Sequence, residues 1–448
     1  MQFELTREFL DEIREMIAEN NTAFIEEVIH LHPADIAEIL DELDNEEAKF
    51  IYGRLNQDLQ GDVLMELEDD VRQRFVETFN IEQLAQQLEN LNSDDAVDIL
   101  GEMSIDKQLE VISKMDSENA SDLVDLLNYD EDTAGGLMQT EFIRAKLEWP
   151  INRCVVELRR QAEEVDKVHT IYVVDNDDNL VGLLSLRALL VANAKALVKD
   201  VYKNKNMVYV YTNEEAVEVA RIMDKYDLVS IPVLNLQKKL VGRITIDDIV
   251  DVIREEADKD LQMASGISKS VEPNASIWKM SRARLPWLMI GLMGGVLGSQ
   301  VIGNFEIQIG KIPSLAFFIP LVAAMGGNVG VQSSAIVVQS IANGSNQFSS
   351  IFDKVKREAS LGLLNGLICG TFIFLVTWLL QDIKLGISVS IALFIVIIFA
   401  AIFGTLIPLA LHRYKVDPAV ATGPFITTLN DVVGLFIYFA VGMMVFDL

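Results

Sequence analysis

The sequence predicts a multidomain chain of three successive fold classes: an all-α, superhelical N-terminal domain, a duplicated α/β module and a five-helix transmembrane domain. Three observations carry this reading: a step in charge near residue 283, an internal repeat at an offset of 60 residues, and five apolar segments confined to the C-terminal part. With 448 residues there is room for two or three domains at about 150 residues each.

The charge step comes first. The chain has 37 basic and 67 acidic side chains, but from Ala283 onward only 8 Lys or Arg stand against 7 Asp or Glu, so residues 1–282 hold 29 against 60, a net of −31. Such a surface repels nucleic acid and anionic lipid and attracts cations, divalent ones above all. The first residues, MQFELTRE, lack a basic stretch followed by an apolar run, so the acidic part is expected to be cytoplasmic.

Residues 1–130 show helical periodicity and recurring short units such as ADIAEIL (34–40) and DAVDIL (95–100), with little strand-like alternation, which predicts a helical array. Asp94, Asp98 and Glu102 fall at four-residue steps on one helix face, either a solvated stripe or a cation site.

Residues 131–253 contain the repeat. The segment 168–192 aligns without gaps onto 228–252, and each copy reads strand, turn, strand, helix: Ile171, Val173 and Val174 match Ile231, Val233 and Leu234, and Leu180-Val181-Gly182 matches Leu240-Val241-Gly242. The two units span about 131–198 and 199–253. In the helix that follows, Asp247, Asp251 and Glu255 stand at i, i+4 and i+8, and Glu256 and Asp260 form another such pair. Like charges at that spacing cost a helix roughly 0.2–0.5 kcal/mol per pair, a strain that bound cations would relieve.

A connecting helix is expected over 254–282, passing through Ser265-Gly266-Ile267-Ser268 and Pro273-Asn274-Ala275-Ser276 to Trp278. It is either a coupler or an amphipathic tether lying on the membrane face. From 283 to 448 the apolar segments 285–303, 312–342, 359–380, 385–411 and 419–446 are each long enough to span ~30 Å. Basic residues precede the first (Arg282, Arg284), separate the second from the third (Lys354, Lys356, Arg357) and the fourth from the fifth (Arg413, Lys415), which puts those ends in the cytoplasm and the C-terminus outside.

Two spans carry polar chemistry. The second contains Pro320, Gly326-Gly327-Asn328, Gln332, Ser333 and Ser334; its glycines suit either close helix packing or a pore wall, and Asn328 and Gln332, four apart on one face, favour the wall. In the fifth, Pro418 opens the segment, Gly423-Pro424 interrupts it, and Asn430-Asp431 follow. An acid at membrane depth costs roughly 2.5–3.5 kcal/mol on insertion scales and is usually kept for an ion or proton path. No basic residue lies deep in a span to pair with Asp431, so an ion site is expected there. Magnesium suits it, since that ion takes oxygen ligands and sheds water reluctantly. Cys154 and Cys369 read as reduced thiols. His30, His32, His169 and His412 are scattered with no nucleophile or phosphate-loop motif near them, so no enzymatic activity is expected.

The repeat resembles the paired cystathionine-β-synthase (CBS) domain, most specifically in LVGRITIDD (240–248). That resemblance implies a regulatory, commonly dimeric module that in some members binds a nucleotide such as ATP. Thr245 and Asp248 match the ribose-holding positions, whereas the first repeat has Ser185 and Ala188. The whole order of domains, with MGGNVGVQS (325–333) in the second span and DPA (417–419) and TLNDV (428–432) before and in the fifth, resembles the MgtE family of magnesium channels. It implies a homodimer in the cell (inner) membrane with a central Mg2+ pore, where Asp431 selects and Asn430 and Asn328 help to hold the hydrated ion. It also implies feedback, in which cytosolic Mg2+ draws acidic domains together and closes the pore, with Asp247, Asp251, Glu255 and Glu256 as ligands, Asp94, Asp95 and Asp98 as partners from the helical domain, and Glu214 and Asp227 on the second repeat. Two other functions stay open: an exchanger driven by sodium or protons, for which the spans offer no second carboxylate, and a membrane-anchored CBS sensor that transports nothing.

Overall fold

Short helices capped by their own side chains begin the computed structural model, which describes all residues except 1–2, 20–27, 164, 166, 206, 269–270, 272–275, 343–349, 422 and 448. Among the described residues the N-terminal helices are α1 (Arg7–Ala18), α2 (Pro33–Asp41), α3 (Asn45–Tyr52), α4 (Gln57–Glu66), α5 (Asp69–Thr78), α6 (Ile81–Leu88), α7 (Ser93–Gly101), α8 (Ile105–Ile112) and α9 (Ser117–Leu126). Asp44 and Asn80 head α3 and α6 with complete capping boxes closed by Glu47 and Gln83, which satisfies backbone donors at each start. Each helix packs on the next but one, α2 on α4, α4 on α6 and α6 on α8, the stacking of a superhelix. Ile36, Ile39 and Leu40, then Leu84 and Leu88, then Ile99 and Leu100 are fully buried at helical spacing. Each such side chain contributes roughly 1.5–3 kcal/mol of burial.

Two three-stranded sheets follow. In the first, β1 (Ile143–Lys146) runs parallel to β2 (Ile171–Val174), which pairs antiparallel with β3 (Leu180–Leu184); β4 (Val210–Tyr211), β5 (Ser230–Leu234) and β6 (Leu240–Thr245) repeat that order. Their tight turns place Asp178 and Lys238, equivalent residues of the repeat, at φ 62° and 66°. Helices α10 (Ile151–Gln161), α11 (Leu186–Val191), α12 (Val198–Val201) and α13 (Ala216–Lys225) pack around the sheets. The core is not divided where the repeat begins: Ile231, Val233, Ile244 and Ile249 of the second repeat belong to one hydrophobic cluster with Leu100, Leu126 and Met138, while the first repeat has its own.

The chain forms two compact units, residues 1–253 and 254–448. Helix α14 (Ile246–Ala264) is continuous across residue 253, so the last helix of the second repeat and the start of the expected connecting segment are one helix. It ends where Gly266 turns to φ 82°. The Pro273-Asn274-Ala275 part of the expected connection lies outside the described residues.

Among the described residues of the second unit, five helices are long and apolar enough to cross a membrane. They are α15 (Ile277–Asn304), then, after the short α16 (Glu306–Lys311) and a 3₁₀ turn at Pro313–Phe318, α17 (Ile319–Ala342), α18 (Ile351–Leu380), α19 (Ile383–Arg413) and α20 (Pro424–Phe446). Helices α18 and α19 form a hairpin, α17 lies against both α19 and α20, and α15 lies on α20. One boundary differs from expectation and one agrees. Helix α18 begins at Ile351 rather than near 359, because Ser350 caps it, and this draws Glu358 into a spanning helix. Gly423 and Pro424 do break the segment that Pro418 opens: residues Pro418–Ala421 form a separate 3₁₀ turn, and the spanning helix starts at Pro424, which occupies the first helical position, where its missing N–H costs nothing.

Candidate ion path and acidic interface

In the membrane unit, α17 and α20 meet around Gly330, where an added Cβ would overlap the amide of Asn430 and come 2.7 Å from Ile426. That close approach brings Asp431 beside α17. A cavity of about 320 Å³ is lined by Ala323, Ala324, Gly327, Asn328, Val331, Gln332, Thr427 and Asp431. Asp431 is half-buried, and Asn328 and Gln332, both exposed, share its cavity as their spacing predicts. Asn430 does not face the cavity. Its side chain is 1% exposed and its Nδ2 donates to the Gly326 carbonyl at 3.2 Å, so it ties α20 to α17 and thereby aims its neighbour. Helical geometry separates adjacent residues by about 100°, which is why Asn430 and Asp431 cannot both line one wall.

A second carboxylate, Glu358, is also buried in this unit and accepts a hydrogen bond from the Ser333 hydroxyl at 3.1 Å. The expectation that the spans hold no other acid therefore fails, for the reason given by the α18 start. Nearer the cytoplasmic end expected for these helices, Ala264 and Gly266 touch Gly423 and Pro424. Asp260 there is pushed above its ordinary carboxylate range, first by burial and then by Glu256 and Asp417.

The soluble unit gathers carboxylates from α7 and from the start of α14. Asp94 is 6% exposed, and burial, then the neighbouring Asp248, push its carboxyl up to about 7. Burial and then Asp94 raise Asp95 to about 8, with Asp248, Asp98 and Asp247 adding to it. Asp98 is raised to about 7 by desolvation and then by Asp94, although it stands open enough to water that its repulsion is screened. Asp248 is raised to about 6 by burial, offset in part by hydrogen bonds from Thr245. Asp247 is the exception: burial pushes it up, but a hydrogen bond from the Thr245 hydroxyl and the Lys167 ammonium, 3.5 Å away, outweigh that and leave it below its usual range.

The sequence-derived ligand set is thus only partly assembled. Asp94, Asp95, Asp98, Asp247 and Asp248 come together. Asp251 and Glu255 stand exposed farther along α14, and Glu256 pairs with Lys259 at 3.0 Å. Glu214 and Asp227 join no such cluster: Glu214 accepts a backbone bond from Ala134, and Asp227 closes α13 at φ 52°. Thr245 and Asp248, matched to ribose-holding positions, are bonded to each other at 2.9 Å within the acidic group. Among the described residues no three His, Cys, Asp or Glu side chains stand close enough to ligate one metal ion directly. The repulsion among these acids nevertheless fits a divalent cation bridged through its own water, which a strongly hydrated ion favours. Sequence reasoning missed Gln139, which donates to Asp94, and Arg243, which donates to Gln139, because neither carries the charge sign or spacing of a ligand.

A family model described as "Divalent cation transporter" matches residues 319–441, one described as "MgtE intracellular N domain" matches 31–132, and the CBS domain model matches 134–195 and 198–255. The magnesium transporter MgtE of Bacillus subtilis (strain 168) is 34% identical over 317 residues, 70% of either chain. This chain belongs to the MgtE family. The MgtE protein of Thermus thermophilus is likewise 34% identical over 328 residues, covering 72% of both chains. Among solved structures, the cytosolic domain of the Mg2+ channel MgtE in complex with ATP matches 54% of this MgtE chain and 99% of its own at 32% identity and a TM-score of 0.51. The soluble part of a magnesium transporter matches 56% of this chain and 98% of its own, at 28% identity and a TM-score of 0.51. The chain is accordingly a multi-pass membrane transporter with an N-terminal helical domain and a CBS pair.

Proposed function

We propose that this MgtE chain conducts Mg2+ down its electrochemical gradient as a homodimer and is closed by cytosolic Mg2+. The observation that carries the reading is the cavity shared by Asp431, Asn328 and Gln332, open on one side of a single protomer. A twofold partner would complete its wall and set two Asp431 carboxylates across the axis, and their mutual repulsion favours a divalent over a monovalent ion. Amide and backbone oxygens around them suit outer-sphere contact with a hydrated ion.

The regulatory half follows from the acidic interface. Closing α7 onto the start of α14 without counterions forces several carboxylates together, so the compact state is favoured when divalent cations bridge them. Continuous helix α14 carries that change to Asp260 and Asp417, where a further cation would hold the helix end at the mouth of α20. Division into a helical domain to residue 130, a CBS pair to 253, a connecting segment to 282 and a membrane domain beyond is consistent with this order. Basic residues at the α15 and α18 starts and the α19 end support a cytoplasmic N-terminus and CBS pair, and an external C-terminus, in the cell membrane. ATP would bind at the CBS pair and regulate through it, a reading supported by the solved cytosolic domain of a relative in complex with ATP. A cavity of about 340 Å³ lined by Tyr209, Tyr226, Lys225 and Arg221, the last paired with Glu218 at 2.6 Å, offers rings and a lysine for a nucleotide, which the acidic surroundings of Thr245 and Asp248 do not. No catalytic step is assigned to any residue.

One observation favours the exchange reading as a second possibility: Glu358 is a buried carboxylate that a driving ion could use. Influx of Mg2+ into proteoliposomes under an imposed potential, with no sodium or proton gradient, separates the two. Channel function is expected to give influx that Asp431→Ala abolishes; influx only when a sodium or proton gradient is added would establish exchange instead.

A further inference from the structure

Arg243 is a cation in the middle of β6, 3% exposed. Buried charges are ordinarily paired with an opposite charge, yet among the described residues this guanidinium meets no carboxylate. Its Nε and Nη2 both donate to Oε1 of Gln139, at 2.9 and 2.6 Å, and its Nη1 donates to the Lys167 carbonyl at 3.0 Å. Gln139 is itself only 4% exposed. Because a guanidinium has donors only, Gln139 must turn its oxygen to Arg243 and its nitrogen the other way. That nitrogen donates to Oδ2 of Asp94 at 2.9 Å.

The two ends of this relay belong to different parts of the soluble unit. Gln139 travels with β6, since its backbone N–H donates to the Arg243 carbonyl at 2.9 Å and its carbonyl accepts from the Arg243 N–H at 3.0 Å. Gly242 makes room for that pairing: a Cβ there would lie 2.9 Å from the Gln139 carbonyl oxygen. Asp94 belongs to α7 of the helical domain. The bond from Gln139 to Asp94 therefore exists only when α7 lies on the second repeat, and Arg243 polarises the amide that makes it.

We propose that Arg243, acting through Gln139, is a positioning residue that presents a countercharge to Asp94 across the closed interface and so lowers the Mg2+ concentration needed to close it. This rests on reading the interface as a cation sensor. The relay does part of the work of a bound cation, offsetting the repulsion among Asp94, Asp95, Asp98 and Asp248. Loss of the countercharge behind the Gln139 amide is expected to raise the closure midpoint on the order of ten-fold.

The test is hydrogen–deuterium exchange of the amides of α7 and β6 in the full chain, in detergent, across a Mg2+ titration at fixed pH. Wild type is expected to gain protection with a defined midpoint. Arg243→Met should reach the same final protection at a midpoint about ten-fold higher, Arg243→Lys should recover most of the shift, and Gln139→Met should behave like Arg243→Met. If Arg243→Met is never protected because β6 fails to fold, Gln139→Met, which keeps the cation, decides by the same midpoint. An unmoved midpoint in the readable variants, or no recovery by lysine, overturns the relay while leaving the sensor intact. Absence of Mg2+-dependent protection in wild type overturns the sensor reading and the relay with it.

Discussion

Replacing Asp94 by Asn should make closure of the soluble unit far less dependent on cations. In the compact state burial and Asp248 push the Asp94 carboxyl from its ordinary 3.8 to about 7. In any state where α7 swings away, the group meets water and titrates near its ordinary value. Between those two values the compact form holds a proton that the open form has released, so the compact form loses stability as pH rises through that window and loses no more above it. At about 1.4 kcal/mol per unit, the cost by pH 8 is on the order of 4 kcal/mol, of which about 3 kcal/mol accrues between pH 5 and pH 8. Asp95 is raised by the same mutual repulsion, so its shift is not added to this figure. Asparagine keeps an oxygen for the Gln139 amide and removes the charge. Exchange protection of α7 amides at pH 8 in chelator, corrected for intrinsic rates, should rise toward the Mg2+-saturated level, and closing measured inside the window, between the ordinary and the raised value, should take up about one proton fewer than in wild type. Were the variant to need as much Mg2+ at pH 8 as wild type does, and to keep the same pH dependence, repulsion at Asp94 would not be what opposes closure.

Three further outcomes follow from packing and hydrogen bonding. Gly330→Ala would force the Asn430 amide and Ile426 aside; overpacking of this kind costs about 1–3 kcal/mol, and thermal unfolding in detergent should fall together with Mg2+ influx. Ser333→Ala removes the hydroxyl that donates to buried Glu358, a loss of roughly 1.5–3 kcal/mol for a bond to a charged group, which should lower thermal stability while leaving the preference for Mg2+ over monovalent ions unchanged. Tyr52→Phe deletes a hydroxyl whose single proton is within reach of two acceptors, the Gln60 carbonyl at 3.1 Å and Gln87 Oε1 at 3.2 Å; with a buried acceptor left short, denaturant unfolding of the soluble unit should shift by about 1–2 kcal/mol, with no effect on influx under open conditions.

The path from sequence to site is uneven in an instructive way. Asp431 was legible because an acid in an apolar segment is costly whatever surrounds it, and Asn328 because four-residue spacing fixes its face. Asn430, adjacent to Asp431 in the motif, is buried against the Gly326 carbonyl instead of lining the cavity: which of two neighbouring polar residues turns inward depends on where α17 lies. Glu358 was overlooked because basic neighbours made its segment read as a loop, whereas the helix starts a full two turns earlier at the Ser350 cap. Asp251 and Glu255 lie on exposed positions farther along α14, whereas Asp94 is buried beside Asp248, a distinction that four-residue spacing alone does not make.

By itself the sequence determined what depends on local and periodic properties: apolar lengths that can span a bilayer, a repeat that must fold twice in one way, capped short helices that must stack, and a charge excess that must seek cations. Tertiary structure alone decided which charges meet. Electrostatic energy falls with distance and is strengthened by loss of water, and both are set by packing between segments far apart in the chain. Asp94 lies 154 positions before Asp248 yet is raised by it, and Arg243 reaches Asp94 only because Gln139 is pinned to β6.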